Sequence, residues 1–186
     1  MKANLSLKPL EPSMRLVFIL PVTVFCGLGA LINFSVASAA GPSRQAEVSA
    51  RGAQVMPFDL KETTHLFTKT NDGGIQQVVA KNPQNRMQIK LIREHLQEIS
   101  NQFGKGDFSA PMQIHGAEMP GLKELKKARP GEILINYKAL SDGGEVEYST
   151  SNATLVAALH RWFDAQLSDH GADAKQGHAH HSMMHE

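Results

Sequence analysis

The middle of the chain switches between the strand-like and the helix-like spacing of apolar residues. Residues 63–70 and 75–81 are typical of β-strands and flank the turn Asn71-Asp72-Gly73-Gly74, which predicts a hairpin. Over about residues 84–103 the apolar period changes to steps of three and four, which predicts an amphipathic helix. Its apolar positions are Ile89, Ile92, Leu96, Ile99 and Phe103.

The same order of elements returns in the second half of the chain. A second Asp-Gly-Gly turn begins at Asp142, 70 residues after the one at Asp72, and residues 132–140 and 145–150 supply its two strands. A second helix follows, with Ser151 or Asn152 as its cap and Gly171 as its stop. The repetition indicates an internal ββα duplication, although two copies of a common unit can also arise without shared ancestry.

These elements predict an α+β fold. Two ββα units would form one antiparallel sheet of about four strands, with the two long helices packed on one face. Between the units, residues 106–131 are punctuated by Pro and Gly and predict a long loop with one short helix near residues 122–128. A loop of this length inside a small domain is typical of a functional or a mobile segment.

The two ends of the chain differ from this middle part. Residues 1–39 predict a signal peptide, because a basic start precedes a long apolar run and then Ala37-Ser38-Ala39. An uncleaved membrane anchor is the alternative, since the run is near the length that spans a bilayer. We expect a linker over residues 40–54, a single domain over residues 55–174 and a disordered tail over residues 175–186. The localisation that follows is periplasmic or secreted.

Charge and cysteine content narrow the function. The chain has 19 Lys and Arg and 18 Asp and Glu, and cleavage after residue 39 would remove three basic residues and one acidic residue, which leaves a net charge of −1. The cleaved chain would therefore have no strong positive electrostatic potential that attracts nucleic acid or an anionic membrane. The single cysteine, Cys26, would leave with the signal peptide, so only His, Met and carboxylate side chains are available to bind a metal.

Histidines are spread over the predicted domain and are the candidate ligands. His95 lies beside Ile92 and Leu96 on the buried flank of the first long helix. His65 lies in a strand, His115 in the long loop, and His160 at the boundary of the second helix. None of the four has the close spacing of a local metal motif, so the fold would have to assemble any site.

The last residues of the chain add imidazole and thioether groups on a short segment. A His/Met mixture suits copper, and imidazole alone also suits zinc. The alternative is a solubilising tail whose histidines cluster by chance. The candidates at this end of the chain are His170, His178, His180, His181, Met183, Met184 and His185.

Motifs of common enzymes are not found. The chain contains no G-x-S-x-G, no phosphate-binding G-x-x-x-x-G-K-[ST] and no G-x-G-x-x-G after a strand. Carboxylates do stand next to histidine in Glu94-His95 and Asp169-His170, but neighbours on a helix point in different directions, so we expect both carboxylates on solvated faces.

Several stretches together resemble a known family of small exported bacterial proteins. They are VMPFDLKETTH, the GGIQQV turn, LIREHL, GDFSAP, IHGAEMPGL and LVAALHRWFDAQLSDHGADA, and they cover roughly residues 55–174. Members of this family often carry the label aspartate carbamoyltransferase. That enzyme class has a much longer chain of two α/β domains and a Ser-Thr-Arg-Thr phosphate loop, which this chain lacks, so we do not expect transferase activity.

The expected function is therefore periplasmic metal binding or metal handling. Copper is favoured, with zinc or haem iron as alternatives, and the metal ion is the expected partner. An exported enzyme remains an alternative, with His95 as a general base or as a ligand to a catalytic metal. A non-catalytic interaction module is the third class.

Overall fold

The computed structural model describes residues 43–178, which form five α-helices and five β-strands. Short 3₁₀ turns at Leu60–Glu62 and Gly171–Asp173 precede the first and the last strand. No helix of the described residues is both long enough and apolar enough to span a bilayer. In chain order the elements are α1 (Arg44–Val55), β1 (Thr63–Thr70), β2 (Gly73–Ala80), α2 (Arg86–Gly104), α3 (Ser109–His115), α4 (Leu122–Leu125), β3 (Leu134–Ala139), β4 (Gly143–Ser149), α5 (Ala153–His170) and β5 (Ala174–Gln176).

The strands form one sheet in the order β3-β4-β2-β1-β5. The first four strands pair antiparallel, whereas β5 pairs parallel with β1. The α+β prediction and both hairpins are confirmed. The sheet has five strands instead of about four, and β5 extends the domain past residue 174 into the predicted tail. With only three residues, β5 is too short to show an alternating pattern.

Both long helices lie on the same face of the sheet. Tyr148 of β4 is packed against both, with its ring centroid 6.4 Å from that of Phe103 in α2 and 5.7 Å from that of Trp162 in α5. Asn152 caps α5, as one of the two predicted cap residues, and accepts a hydrogen bond from its first turn, while Asn85 does the same for α2. The predicted placement of the two helices is therefore confirmed.

The helices are exchanged between the two ββα units. Helix α2 follows the hairpin β1–β2 in the chain but packs mainly on β3 and β4 of the other unit. Helix α5 follows β3–β4 and packs on β1, β2 and β5. Each hairpin is thus covered by the helix of the other unit.

The opposite face of the sheet carries polar side chains. Gln77, Glu145 and Lys138 lie side by side on β2, β4 and β3 in the strand register. Gln77 donates a hydrogen bond of 2.6 Å to Glu145. An antiparallel sheet with one solvated face explains the alternating pattern of its strands.

The predicted linker over residues 40–54 is wrong for residues 44–54, which belong to α1. Ser43 caps this helix by accepting a hydrogen bond from the backbone N–H of Ala46. Only Val48 and Gly52 of the helix are buried. Because so few residues of α1 are buried, its sequence shows almost no apolar periodicity. The helix could have been predicted only from the helix-favouring composition of the segment.

Helix α3 lies inside the segment that was predicted as a loop. Asp107 accepts a hydrogen bond from the backbone N–H of Ser109 at its start. Pro111 is tolerated because it lies in the first turn, where backbone N–H groups have no partner within the helix. The helix buries Ile114 and His115 at its last turn, so it brings a predicted ligand to the core.

Candidate functional site

Four histidines line a single cavity between the sheet and the helices. They are His65 of β1, His95 of α2, His115 at the end of α3 and His170 at the end of α5. The enclosed cavity has a volume of about 30 Å³, and the space widens to about 400 Å³ only when the open mouth and its solvent are included. Because the four residues come from four separate elements, no local sequence motif could have predicted the site.

Each histidine reaches the cavity for a local reason. On β1, His65 and Phe67 point to the helix-covered face, whereas Leu66 points to the other. His95 lies on the flank of α2, as predicted from its spacing. His115 and His170 are the last residues of their helices, where the chain turns away at Gly116 and Gly171.

Three of the rings are in contact with one another. The rings of His65 and His170 stack in parallel, with centroids 4.9 Å apart and planes at 7°. The ring of His115 meets that of His170 edge to face at 5.1 Å. His95 stands slightly apart, 5.6 Å from the ring of Phe58.

Burial keeps these imidazoles neutral. Removal from water, together with the neighbouring histidines, lowers the pKa of His65 to about 3. Burial lowers the pKa of His170 to about 4, and it also lowers the pKa of His95. A neutral imidazole offers one N–H donor and one lone pair, so the cavity has hydrogen-bonding capacity without charge.

His115 differs from the other three because a carboxylate holds it. Its Nδ1 lies 2.8 Å from Oδ2 of Asp169. Arg44 of α1 donates to both oxygens of Asp169, at 3.0 and 2.7 Å, and to the backbone carbonyl of His115 at 2.6 Å. Burial lowers the pKa of His115, while Asp169 acts in the opposite direction.

The expectation that Asp169 is solvated is wrong. Asp169 is buried, with a side-chain exposure of 10%. Arg44 and His115 hold the pKa of its carboxyl below the usual range, against the effect of burial. The sequence could not reveal this contact, because Asp169 is 54 residues from His115 and 125 from Arg44.

Three polar atoms in the cavity wall have no hydrogen-bond partner among the described residues. They are Nδ1 of His65, Nε1 of Trp162 and Oε1 of Gln166, and all three side chains are buried. Trp162 and Gln166 were missed in the sequence. Their spacing of four residues on α5, followed by His170 after another four, places them on one face of the helix, and this was the available signal.

Apart from Gln76, apolar side chains form the rest of the wall. None of the described residues that line this cavity is Lys, Arg, Asp or Glu. His65 and His170 also line a neighbouring surface cleft beneath α1, so their stacked rings lie between the cleft and the cavity. The apolar lining residues include Met56, Phe67, Ile99, Phe103 and Ile114.

His160 was predicted as a metal candidate, but it does not reach the cavity. Its Nε2 lies 3.0 Å from the carbonyl oxygen of Thr70 and 2.9 Å from that of Gly73. Nε2 therefore carries the hydrogen and donates it to the turn of the first hairpin. The role of His160 is to tie α5 to this turn.

Replacement of His160 by Ala is expected to destabilise the domain. The carbonyls of Thr70 and Gly73 would lose their donor, which costs about 1–2 kcal/mol. Urea unfolding followed by far-UV circular dichroism measures the change. His178→Ala is the control, because His178 is exposed at the end of the described chain. Equal stabilities of the two variants would contradict this role.

The remaining candidates lie at the end of the chain. His178 is exposed and lies away from the cavity lining. His180, His181, Met183, Met184 and His185 fall outside the described residues, as does the predicted signal peptide. Within residues 43–178, no group of three or more His, Cys, Asp or Glu side chains is arranged to hold a metal ion.

Comparison with known proteins adds no assignment. No protein-family model, curated protein sequence or solved structure matches this chain. The function must therefore be argued from the cavity itself.

Proposed function

We propose that the described domain binds a small uncharged molecule in the histidine-lined cavity. The observation that carries this proposal is that polar atoms of His65, Trp162 and Gln166 in the cavity wall have no hydrogen-bond partner among the described residues. A buried polar atom without a partner costs about 1–3 kcal/mol. A bound molecule that pairs with these atoms recovers that cost.

The three atoms specify what such a molecule must offer. Nε1 of Trp162 only donates, and Oε1 of Gln166 only accepts, so the ligand needs one acceptor and one donor. The wall supplies no charged side chain, and its imidazoles resist protonation. A charged organic ligand would lose its hydration without a counter-ion, which disfavours organic anions and organic cations alike.

Benzamide and its charged analogues form a matched set of probes. Benzamide carries a carbonyl acceptor, an N–H donor and an apolar ring, while benzoate and benzamidine have nearly the same shape with opposite charges. We expect benzamide to change the emission of Trp162, the only tryptophan of the chain. It should also raise the melting temperature, since a ligand that binds only the native state stabilises it.

Two variants separate the cavity from the surface. Ala110→Phe fills the cavity and should abolish both responses to benzamide, because Ala110 belongs to its wall. Gln166→Leu removes the unpaired acceptor and should weaken binding. No response of the wild-type protein to benzamide, or an equal response to benzoate, would contradict the proposal.

Metal handling after export is our second proposal. It is favoured by the convergence of four neutral imidazoles on one cavity, since metals bind the neutral form of histidine, and by the His/Met-rich end of the chain. Copper is the preferred ion, with zinc or haem iron as alternatives. The stacked rings of His65 and His170 would have to separate to point their lone pairs at one ion.

Metal titration of two chains tests this second proposal. Copper and zinc would be added to the chain starting at residue 40 and to a version ending at His178, which keeps β5 intact. A tight site in the shorter chain that His65→Phe removes would place the metal in the cavity. Binding by the longer chain alone would assign it to the tail, and binding by neither would end the proposal.

A further inference from the structure

The arrangement around His115 goes beyond what ligand binding requires. The Asp169 carboxylate accepts the hydrogen on Nδ1 of His115, and Arg44 fixes that carboxylate from its other side. The second ring nitrogen, Nε2, is then left with a lone pair, because a neutral imidazole carries only one hydrogen. A buried imidazole aligned by a carboxylate is the arrangement of a general base.

The other imidazoles of the cavity lack this support. The pKa of His65 falls to about 3 and that of His170 to about 4, so both are weak bases. No carboxylate is hydrogen-bonded to either ring among the described residues. Only for His115 does a hydrogen-bonded carboxylate favour the protonated form, which a base must reach during proton transfer.

We infer that the cavity is catalytic and that His115 takes a proton from an uncharged carbonyl compound bound there. This inference rests on the proposed binding function. Nε2 of His115 would accept a proton from the carbon next to the carbonyl, the C–H electron pair would become the C=C bond of an enolate, and the π pair of the C=O bond would move to the oxygen. The hydrogen on Nε1 of Trp162 would be donated to the enolate oxygen, where negative charge develops.

The reaction is complete without a further reactant. The proton held on Nε2 is returned to a different atom of the same enolate, and the Asp169 carboxylate stays ionised while it stabilises the imidazolium. No electron leaves the substrate, so no oxidant or reductant is needed. The reaction class is an isomerisation of an uncharged carbonyl compound.

A reporter of general-base strength tests this inference without knowledge of the substrate. 5-Nitrobenzisoxazole is planar and uncharged. A base removes its ring C–H proton, the C–H electron pair forms the nitrile, and the N–O bond breaks to release the coloured 2-cyano-4-nitrophenolate. We expect the wild-type protein to exceed free imidazole at equal concentration by at least about tenfold, since a positioned base contributes about 10²–10⁴-fold.

Variants assign the rate to His115. His115→Gln should bring the rate down to the level of free imidazole, whereas His178→Gln removes an exposed imidazole and should leave it unchanged. Benzamide should inhibit the wild-type protein over the same concentrations that change Trp162 emission. This inhibition keeps the test valid if His115→Gln fails to fold. A rate that survives in folded His115→Gln, or that benzamide leaves unaffected, overturns the inference.

The pH dependence distinguishes a positioning role of Asp169 from a structural one. The groups that act on His115 are Asp169 and, with the opposite sign, Arg44 and Arg51, while the neutral His170 packs on its ring. Asp169→Asn removes the stabilisation of the imidazolium, so the acidic limb of the rate profile should move to lower pH. A structural role would reduce the rate at every pH without moving the limb.

Trp162 emission separates a failure of catalysis from a failure of binding. If 5-nitrobenzisoxazole changes the emission but no rate above free imidazole is found, the catalytic inference fails and the binding proposal stands. If neither signal appears with this probe or with benzamide, both fail.

Discussion

Lowering the pH from 7 to 5 should reduce the free energy of unfolding by about 4 kcal/mol. The pKa of His65 drops from 6.5 to about 3 in the folded protein, and that of His170 to about 4. At pH 5 both side chains are protonated in the unfolded chain and neutral in the folded one. A pH of 5 lies 1.5 units below the ordinary histidine pKa of 6.5, so each of the two side chains costs about 2 kcal/mol, at about 1.4 kcal/mol per unit.

The direction follows from which state binds more protons. A histidine with a depressed pKa favours folding above its ordinary pKa of 6.5, and this contribution is lost as the pH falls toward the folded value near 3 or 4. His95 and His115 are also shifted downward and add to the loss. Since domains are stable by about 5–15 kcal/mol, a loss of this size brings the domain close to acid unfolding.

Urea unfolding at pH 7, 6 and 5 measures this effect. His170→Phe removes one of the two strongly shifted groups and should reduce the pH-dependent loss by about half. His178→Gln serves as the control, because His178 is exposed at the end of the described chain. A free energy of unfolding that stays constant between pH 7 and 5 would show that the imidazoles are solvated, and would contradict the cavity as described.

Gly121→Ala should destabilise the domain by about 3 kcal/mol or more. Gly121 has φ of +81°, and a Cβ there would lie 2.1 Å from the carbonyl oxygen of Ala158 in α5. A left-handed conformation costs a non-glycine residue about 1 kcal/mol, and forcing the backbone of α5 away adds roughly 1–3 kcal/mol. Thermal unfolding with a matched urea titration reports the change.

Gly131→Ala is the matched control for Gly121. Gly131 has nearly the same φ, +83°, but no atom of the described residues lies within 4 Å of the position of its Cβ. Its replacement therefore measures the backbone cost alone, about 1 kcal/mol. The difference between the two variants isolates the close approach of the α4 start to α5. Equal losses of stability in the two variants would mean that Gly121 lies farther from α5 than the structure shows.

Most of the fold was predictable because its main elements bury a wide apolar face. Ile92 and Leu96 repeat at helical spacing, and both Asp-Gly-Gly turns stand between strand-like runs. Helix α1 could not be predicted from an apolar pattern because it buries little beyond Val48. Strand β5 could not be predicted because its stability comes from pairing with β1, and a local sequence pattern does not show such pairing.

The site was predictable only in its parts. The position of His95 on a buried flank follows from helical spacing, and His65, His115 and His170 could be named as candidates. Their convergence could not be predicted, because it depends on the pairing of distant elements. The wrong expectation for Asp169 has the same origin, since Arg44 and His115 reach it from α1 and α3. The contacts of His160 could not be predicted either, because its partners are backbone carbonyls, which any sequence supplies.

The exchange of helices between the two ββα units affects the order in which this chain can fold. The hairpin β1–β2 forms locally, but its apolar face stays uncovered until α5 packs on it, and α5 ends only at His170. Contacts between elements so far apart in the chain cost a large loop-closure entropy, which slows the formation of the folding nucleus. A nascent chain that lacks α5 cannot complete its core, so the domain should remain unfolded until almost all of it has left the ribosome.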